Sequence, residues 1–493
     1  MIKNIDTGCD LVIFGAKGDL SKRKLLPALY KLEKSHNIHK NTRIIGAGRA
    51  NWNAQEYKKE VKNSIKQFLN EEIDDVYWKK LSNRLYFCNI DVYKTSDFLK
   101  LKEILKIRRN VTIYYCAVPP STFDSIFTQL GKLNLNSNLT RIIIEKPLGI
   151  SLETSQEINN KISKYFLESQ IFRIDHYLGK ETVLNLLPLR FANSLFYHNW
   201  NNKIIDHVQI TVSEEVGIEN RWNYFDQMGQ MKDMVQNHLL QMLTIVAMSM
   251  PKNFESKYIQ EEKIKILRSL RKIDKDNINQ KTARGQYSSG IIKGKNVPSY
   301  LKENGSNQNS DTETFVSLKV EIENDQWLGV PFYLRTGKRL AHKYSEIVIY
   351  FKKTSNNLFQ YSCKEFPQNK LIIRLEPNAS IYMNILNKIP GIEEQYKLKS
   401  YLMKFNYFKE ISSYNLIDAY ERLLLESMKG IQSLFVCREE VEEAWKWIDP
   451  IVNAWKKEKK STLQLYKAGS WGPINSNLMI NKDNRKWNRF DKI

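Results

Sequence analysis

Through the first 175 residues, short apolar runs alternate with stretches whose apolar positions recur every three to four residues. Leu11–Phe14 is the first such run, and the turn Gly15-Ala16-Lys17-Gly18 follows it directly. Leu25, Leu26, Leu29 and Leu32 then return at helical spacing. Thr42–Arg49, Arg84–Ile90, Val111–Ala117, Thr140–Glu145 and Gln170–Ile174 read as further strands, with amphipathic segments between them. This β-α rhythm predicts a doubly wound parallel sheet that collects ligands at the C-terminal ends of its strands. After Asp175 the pattern changes. The β-prone runs Ile204–Val216, Thr314–Ile322, Val330–Leu334, Glu346–Phe351 and Leu371–Leu375 predict an α+β region with a large, mainly antiparallel sheet. Helical patterns occupy Lys180–Phe191, Gly229–Met250, Asp418–Gln432 and Glu439–Trp455. Asn277–Asp311, rich in Gly, Ser and Asn, reads as a long irregular segment, and no internal repeat is present.

A strand that enters a helix through Gly15 and Gly18 lets the backbone approach a pyrophosphate, which rests on the N–H groups at the helix start. Gly-x-x-Gly also occurs in plain connections, but as the first β-α turn it points to a dinucleotide. The next strand ends in Arg49, where an NAD-selective site presents an acid to the ribose hydroxyls. An arginine there offers a charge-assisted fork to a 2′-phosphate, so the reading is NADP, with a simple surface arginine as the alternative. Asn89-Ile90-Asp91-Val92, Cys116–Pro120 and Glu145-Lys146-Pro147-Leu148-Gly149 fall at other strand ends, which puts Asp91, Val92 and Lys146 beside the expected coenzyme. The Lys146-Pro147 bond is a candidate cis peptide. The chain is therefore expected to join an α/β Rossmann-type coenzyme domain, residues 1–175, to an α+β substrate and oligomerisation domain, residues 176–493.

Composition narrows the class of function. A chain of 493 residues with 42% hydrophobic positions buries ample core. No basic, then apolar, leader opens it, and Leu239–Met250, the most apolar later stretch, is too short to span a bilayer. Five cysteines, Cys9, Cys88, Cys116, Cys363 and Cys437, stand apart and odd in number, which fits a reducing cytoplasm better than a disulfide framework. The net charge of +22 raises the question of nucleic acid, but the basic residues are spread along the chain instead of gathered in a stripe. They favour small anions such as sugar phosphates and NADP. Neither nucleic acid nor membrane is expected as a partner.

Two segments carry the candidate chemistry. RIDHYLGKE, Arg173–Glu181, packs Asp175, His176, Tyr177 and Lys180 into the mouth of an apolar strand, and such groups are costly to desolvate unless they meet a charged ligand. A solvated loop is the other reading. In the second segment, Gly217–Leu243, an α-helical wheel sets Met231, Met234, Val235, Met242 and Ile245 within about 60° of His238. His238 is then either a core histidine or a general base, since imidazole titrates near pH 6.5. A base would need a carboxylate on its other nitrogen, and Asp175 is the candidate. Asp233 falls about 140° from His238 on the same wheel. If both face one site, Asp233 must lie at the start of the helix, outside its regular turns. His36 and His39 have a metal-like spacing without accompanying acids or cysteines, and no metal is expected. His198, His207 and His342 have no distinctive context.

IFGAKGDLSKRKL, EKPLG, RIDHYLGKE, YFDQMGQMKDMVQNHLLQ and PFYLRTGKRL together resemble the glucose-6-phosphate dehydrogenase family over nearly the whole chain. The resemblance implies oxidation of β-D-glucose 6-phosphate by NADP⁺ to the 6-phosphogluconolactone, the first step of the oxidative pentose phosphate pathway, in a homodimer or tetramer. It implies His238 as general base for the C1 hydroxyl, with Asp175 as its carboxylate partner. His176, Tyr177 and Lys180 correspond to the segment that grips the sugar phosphate, and Glu214 and Asp233 to acids that bind sugar hydroxyls. Lys146 stands between coenzyme and substrate, and Lys338 and Lys343 are further lysines on the substrate side. Gly15, Gly18 and Arg49 correspond to NADP contacts. Lys17 departs from the pattern, standing where many members have a small residue. The nearest competing expectation is another NAD(P)-dependent sugar oxidoreductase, a group that generally lacks RIDHYLGKE.

Overall fold

A computed structural model describes residues 8–69, 71–106, 111–353, 359, 367–392, 397–406, 417–457 and 463–488. Cys363 lies outside the described residues. The chain forms two compact units. Unit 1 comprises Met1–Glu181, Pro251–Glu261 and Ile417–Glu442; unit 2 comprises Thr182–Met250, Glu262–Leu416 and Glu443–Ile493.

Unit 1 is built on six parallel strands, β1 (Cys9–Phe14), β2 (Arg43–Gly48), β3 (Leu85–Asn89), β4 (Val111–Cys116), β5 (Thr140–Ile144) and β6 (Ile171–Arg173). Their order is β3-β2-β1-β4-β5-β6. Every residue of β1 is buried, which is why Leu11–Phe14 reads as a continuous apolar run, and its one charged residue, Asp10, is paired with Arg43 at 2.7 Å. Leu11 and Ile13 enter one core layer while Val12 and Phe14 enter the other, as the two-residue period of a strand requires. Chain connections diverge on either side of β1, and the crevice at its C-terminal end is the ligand position of such sheets. The helix Ala419–Lys429, distant in sequence, buries Leu423, Leu424, Leu425 and Met428 in the same core layer as Leu11. Asp418 caps it, accepting from Tyr420 N–H at 2.9 Å, and Gly430 ends it in the left-handed conformation.

Unit 2 holds β7 (Ile205–Ser213), β8 (Thr282–Ser288), the hairpin β9 (Gly290–Ile292) and β10 (Lys295–Val297), β11 (Phe315–Val320), β12 (Phe332–Gly337), β13 (Tyr344–Phe351), β14 (Lys370–Glu376), β15 (Ser380–Lys388), β16 (Leu398–Asn406) and β17 (Leu463–Lys467). Nine of these form one sheet in the order β16-β15-β14-β13-β7-β12-β11-β8-β17. It is mainly antiparallel, with β7–β12 and β8–β17 paired parallel. Residues 277–311 are not irregular throughout, for they contain β8 and the β9–β10 hairpin. The apolar pattern hid β8 because Arg284 and Gln286 are buried there as polar side chains, Gln286 donating to the carbonyls of Ser310 and Thr312. The stretch 229–250 is not one regular helix either. The helix Trp222–Gln230 breaks at Gly229 (φ 65°), a π-helical segment runs from Met231 to Leu239, and an α-helix continues from Leu240 to Ala247. Among the described residues no helix is long and apolar enough to cross a membrane.

Candidate active site

In unit 1 the glycine turn sits at the crevice beside β1. Gly15 has φ 84°, and a Cβ there would stand 2.2 Å from the Ala117 carbonyl oxygen at the end of β4. The turn is closed by Gly18 N–H donating to Gly15 O at 2.8 Å, with Ser21 Oγ donating to the same oxygen. The helix begins at once, with Leu25, Leu26, Leu29 and Leu32 buried. Arg49 is exposed just beyond β2, and Lys17 Nζ lies 5.9 Å from the ring of Trp52. Two cations therefore flank the loop after β2, and the periodicity of the sequence gave Lys17 no partner there. Asp91 and Val92 follow β3. The Asp91 carboxylate accepts from Tyr93 N–H, and Ser125 Oγ donates to Val92 O. Lys146-Pro147 is cis, as is Glu376-Pro377, which the sequence did not suggest.

Residues of RIDHYLGKE emerge from the C-terminal end of β6. Asp175 is buried and opens a turn, its carboxylate accepting from Tyr177 N–H at 2.9 Å. The Lys180 ammonium stands 3.7 Å from the centroid of the Tyr177 ring, a cation–π contact that holds the lysine over the turn. Tyr420, from the distant helix, lies parallel to the His176 ring at 6.3 Å. That helix packs closely on the turn: a Cβ on Gly179 would stand 2.8 Å from Ala419 O. Glu145 received no role from the sequence, although it stands in EKPLG. Its carboxylate accepts from Tyr115 Oη at 2.5 Å, and burial pushes its pKa up to about 7 against the opposing effect of the Tyr115 hydrogen bond. A carboxyl whose pKa is raised in this way, beside Lys146 and Tyr420, would have been detectable only from its surroundings.

In unit 2 the parallel pairing of β7 with β12 aligns Ser213 with Gly337, so the next residues of both strands emerge side by side. Lys338, 1% exposed, donates to Glu214 Oε2 at 2.8 Å and lies 5.2 Å from the Phe225 ring. Lys343 differs: it is largely exposed, and its Nζ is 4.0 Å from Glu376. His238 is fully buried and Asp233 nearly so, both within the π-helical segment. In a π-helix the hydrogen bonds run i→i+5, so residues five apart share a side. The 140° separation on an α-helical wheel is therefore corrected. Asp233 stands in the first turn of the segment, at the helix start that the sequence called for, and His238 follows five residues later, one π-helical turn on. The Asp233 carboxylate also accepts from Tyr224 Oη at 3.4 Å. At the far end of the rod, the buried Arg190 guanidinium donates to Ile245 O and Met248 O.

A glycine turn at the switch point of a parallel sheet, joined to a second unit that presents a buried imidazole, acids and a buried lysine, defines the class of nicotinamide-dependent dehydrogenases with two structural units. Residues 12–185 match the family model described as the glucose-6-phosphate dehydrogenase NAD binding domain, and residues 187–488 match that of the glucose-6-phosphate dehydrogenase C-terminal domain. The chain belongs to the glucose-6-phosphate dehydrogenase family. It is 68% identical to a glucose-6-phosphate 1-dehydrogenase of Buchnera aphidicola subsp. Schizaphis graminum, with 100% of both chains covered. It is 56% identical to that of Dickeya dadantii over 98% of each chain. A solved glucose-6-phosphate dehydrogenase in complex with its substrate glucose 6-phosphate is 31% identical, with a TM-score of 0.90 over 99% of this chain and 100% of that one.

Proposed function

We propose that this oxidoreductase converts β-D-glucose 6-phosphate to 6-phosphoglucono-1,5-lactone with NADP⁺, and that His238 is the general base. What supports this reading most is that the buried His238 and Asp233 lie five residues apart in a π-helical segment, whose i→i+5 ladder brings such residues to one side, a proton acceptor and a carboxylate suited to a sugar hydroxyl. NADP⁺, when bound, supplies the acceptor for the hydride that leaves C1. His238 takes the C1 hydroxyl proton as the carbon–hydrogen bond breaks, and Asp175 serves as its carboxylate partner. Glu214 and Asp233 bind sugar hydroxyls. Lys338 holds Glu214 in place through their 2.8 Å ion pair, and Lys343, with its long exposed reach, serves the substrate side from solvent. His176, Tyr177 and Lys180 grip the phosphate, whose remote binding energy orients C1.

The described residues of unit 1 fit the coenzyme. Gly15 allows the close backbone approach, and Arg49 and Lys17 supply cations at the end of β2, where a 2′-phosphate distinguishes NADP from NAD. Asp91, Val92, Gly18 and Lys146 complete the contacts that we assign to it. Turnover of glucose 6-phosphate and of glucose, each with NADP⁺ and NAD⁺ and followed at 340 nm, tests the whole reading. A preference for unphosphorylated glucose would overturn it in favour of another sugar oxidoreductase.

Lys180→Ala is expected to raise the KM for glucose 6-phosphate about ten- to a hundredfold, the worth of one charge-assisted contact, with a smaller change in kcat. An unchanged KM would make Lys180 a solvated charge resting on Tyr177.

We further infer that the chain assembles with a second copy. Among the described residues β16 ends the nine-stranded sheet, and it leaves Tyr401, Leu402, Met403 and Phe405 exposed. An apolar edge strand of that kind invites a partner. Light scattering at micromolar concentration is expected to give a dimer or tetramer, and Met403→Glu a smaller species; a monomeric wild type would refute the inference. The free, buried thiols of Cys9, Cys88 and Cys116 support a reducing, cytoplasmic setting.

A further inference from the structure

The helical rod that bears Asp233 and His238 starts at a break, and a separate strap of chain closes that break. Gly229 has φ 65°, so the preceding helix and the π-helical segment are not continuous. Residues 310–314 cross the gap. Ser310 Oγ donates to the Asp226 carboxylate, and Thr312 Oγ1 donates to Asp226 O at 2.8 Å, which holds the end of the preceding helix. The next strap residue, Glu313, serves the rod itself. Its main-chain oxygen accepts from Gln230 N–H at 3.0 Å and its side-chain Oε1 from Met231 N–H at 3.0 Å. Thr314 then passes the strap to the sheet, accepting from Lys338 N–H and donating to Gly285 O.

The fit is specific to a long acid. A Cβ on Gly229 would stand 2.4 Å from Glu313 Oε1, so the glycine and the carboxylate interlock. A carboxylate drawn out of water is costly, and that desolvation raises the pKa of the part-buried Glu313. What offsets the cost is the N-terminus of the rod, whose unbonded N–H groups and dipole favour a negative charge. Lys232 and Arg284 also feel that charge. At the opposite end Arg190, a buried cation, binds the last carbonyls. The rod is thus held by an acid at its start and a base at its end. The N–H that the acid holds, that of Met231, is two residues from Asp233.

We propose that Glu313 is a positioning residue for the proton transfer, fixing the start of the π-helical segment and with it the common face of Asp233 and His238. It touches neither substrate nor coenzyme and acts through the Met231 N–H and the Gly229 break. The inference rests on the assignment of His238 as base.

The test compares Glu313→Ala, Glu313→Gln and His238→Ala in the full-length enzyme. Measured quantities are kcat, the KM values for glucose 6-phosphate and NADP⁺, the melting temperature and the isotope effect from C1-deuterated substrate. Glu313→Ala is expected to lower kcat about ten- to a hundredfold, the usual cost of a small misplacement. The KM for glucose 6-phosphate should rise through Asp233, the KM for NADP⁺ should stay unchanged, and the isotope effect should grow as chemistry becomes limiting. Glu313→Gln keeps an acceptor for Met231 N–H and should recover most of the loss, within about threefold of wild type, because only the charge of the hydrogen bond is gone. Should Glu313→Ala fail to fold, Glu313→Gln decides alone: a small fall in kcat with a raised isotope effect supports the proposal. Wild-type kinetics in a folded Glu313→Ala overturn it, as do losses that follow the melting temperature and raise both KM values alike; where Glu313→Ala does not fold, a wild-type kcat together with a wild-type isotope effect in Glu313→Gln overturns it. If His238→Ala keeps wild-type turnover, the functional reading itself fails; if it is inactive while both Glu313 variants are normal, only the positioning role fails.

Discussion

His238→Ala is expected to lower kcat by about 10²–10⁴-fold while glucose 6-phosphate still binds, the usual contribution of a general base. The expectation follows from where the imidazole stands. It is fully buried, it lies on a rod anchored at both ends, and it shares its face with Asp233. With His238 as the proposed base, removing the ring leaves the C1 hydroxyl proton without that acceptor as hydride departs, whereas the groups assigned to the phosphate and the sugar hydroxyls are untouched. Asp175→Asn should cost less, since a partner carboxylate orients the base without itself receiving the proton. Steady-state kinetics at saturating NADP⁺, with substrate binding measured separately by calorimetry, give the answer. Turnover near wild type would return His238 to the status of a core histidine.

Arg49→Ala is expected to shrink the preference for NADP⁺ over NAD⁺ about ten- to a hundredfold, the worth of one charge-assisted fork to phosphate. NAD⁺ has no charge at that point and should lose far less. Arg49→Asp should go further, because a carboxylate repels the phosphate and can accept hydrogen bonds from the NAD ribose. Lys17 bears on the size of the effect. Its ammonium lies against Trp52, in the loop that follows Arg49, so a second cation stays behind in either variant. The Lys17→Ala, Arg49→Ala double variant should therefore lose more preference than either single change. kcat/KM for both coenzymes across these variants is the measurement. Equal losses for NADP⁺ and NAD⁺ would make Arg49 a support of the fold and not a selector.

Much of the coenzyme-binding unit was legible because its code is local. A strand buried on both faces is mostly apolar, a turn with φ 84° calls for glycine, and a helix that covers a sheet repeats its leucines. Those signals fixed β1 to β6 and the positions of Gly15, Gly18 and Arg49. The large sheet was legible only where its strands are apolar. β8 escaped because its buried Arg284 and Gln286 are satisfied by partners elsewhere in the chain, and β15 to β17 are short of buried apolar positions.

The sequence by itself determined which chemical groups the enzyme has and on which local elements they stand: RIDHYLGKE at a strand end, His238 on an apolar helical stripe, Lys338 after a strand. Tertiary structure alone decided how Asp233 relates to His238. A helical wheel assumes one period, whereas i→i+5 hydrogen bonding begins at Met231, just beyond the break at Gly229, where Glu313 binds the Met231 N–H from 82 residues away. Tyr420 reaches the turn of His176 for the same kind of reason, because Leu423 and Leu424 find their burial in the core of unit 1. Periodicity records which face of an element is apolar, but not which distant segment will cover it, and the geometry of the residues assigned here to proton transfer rests on those distant segments.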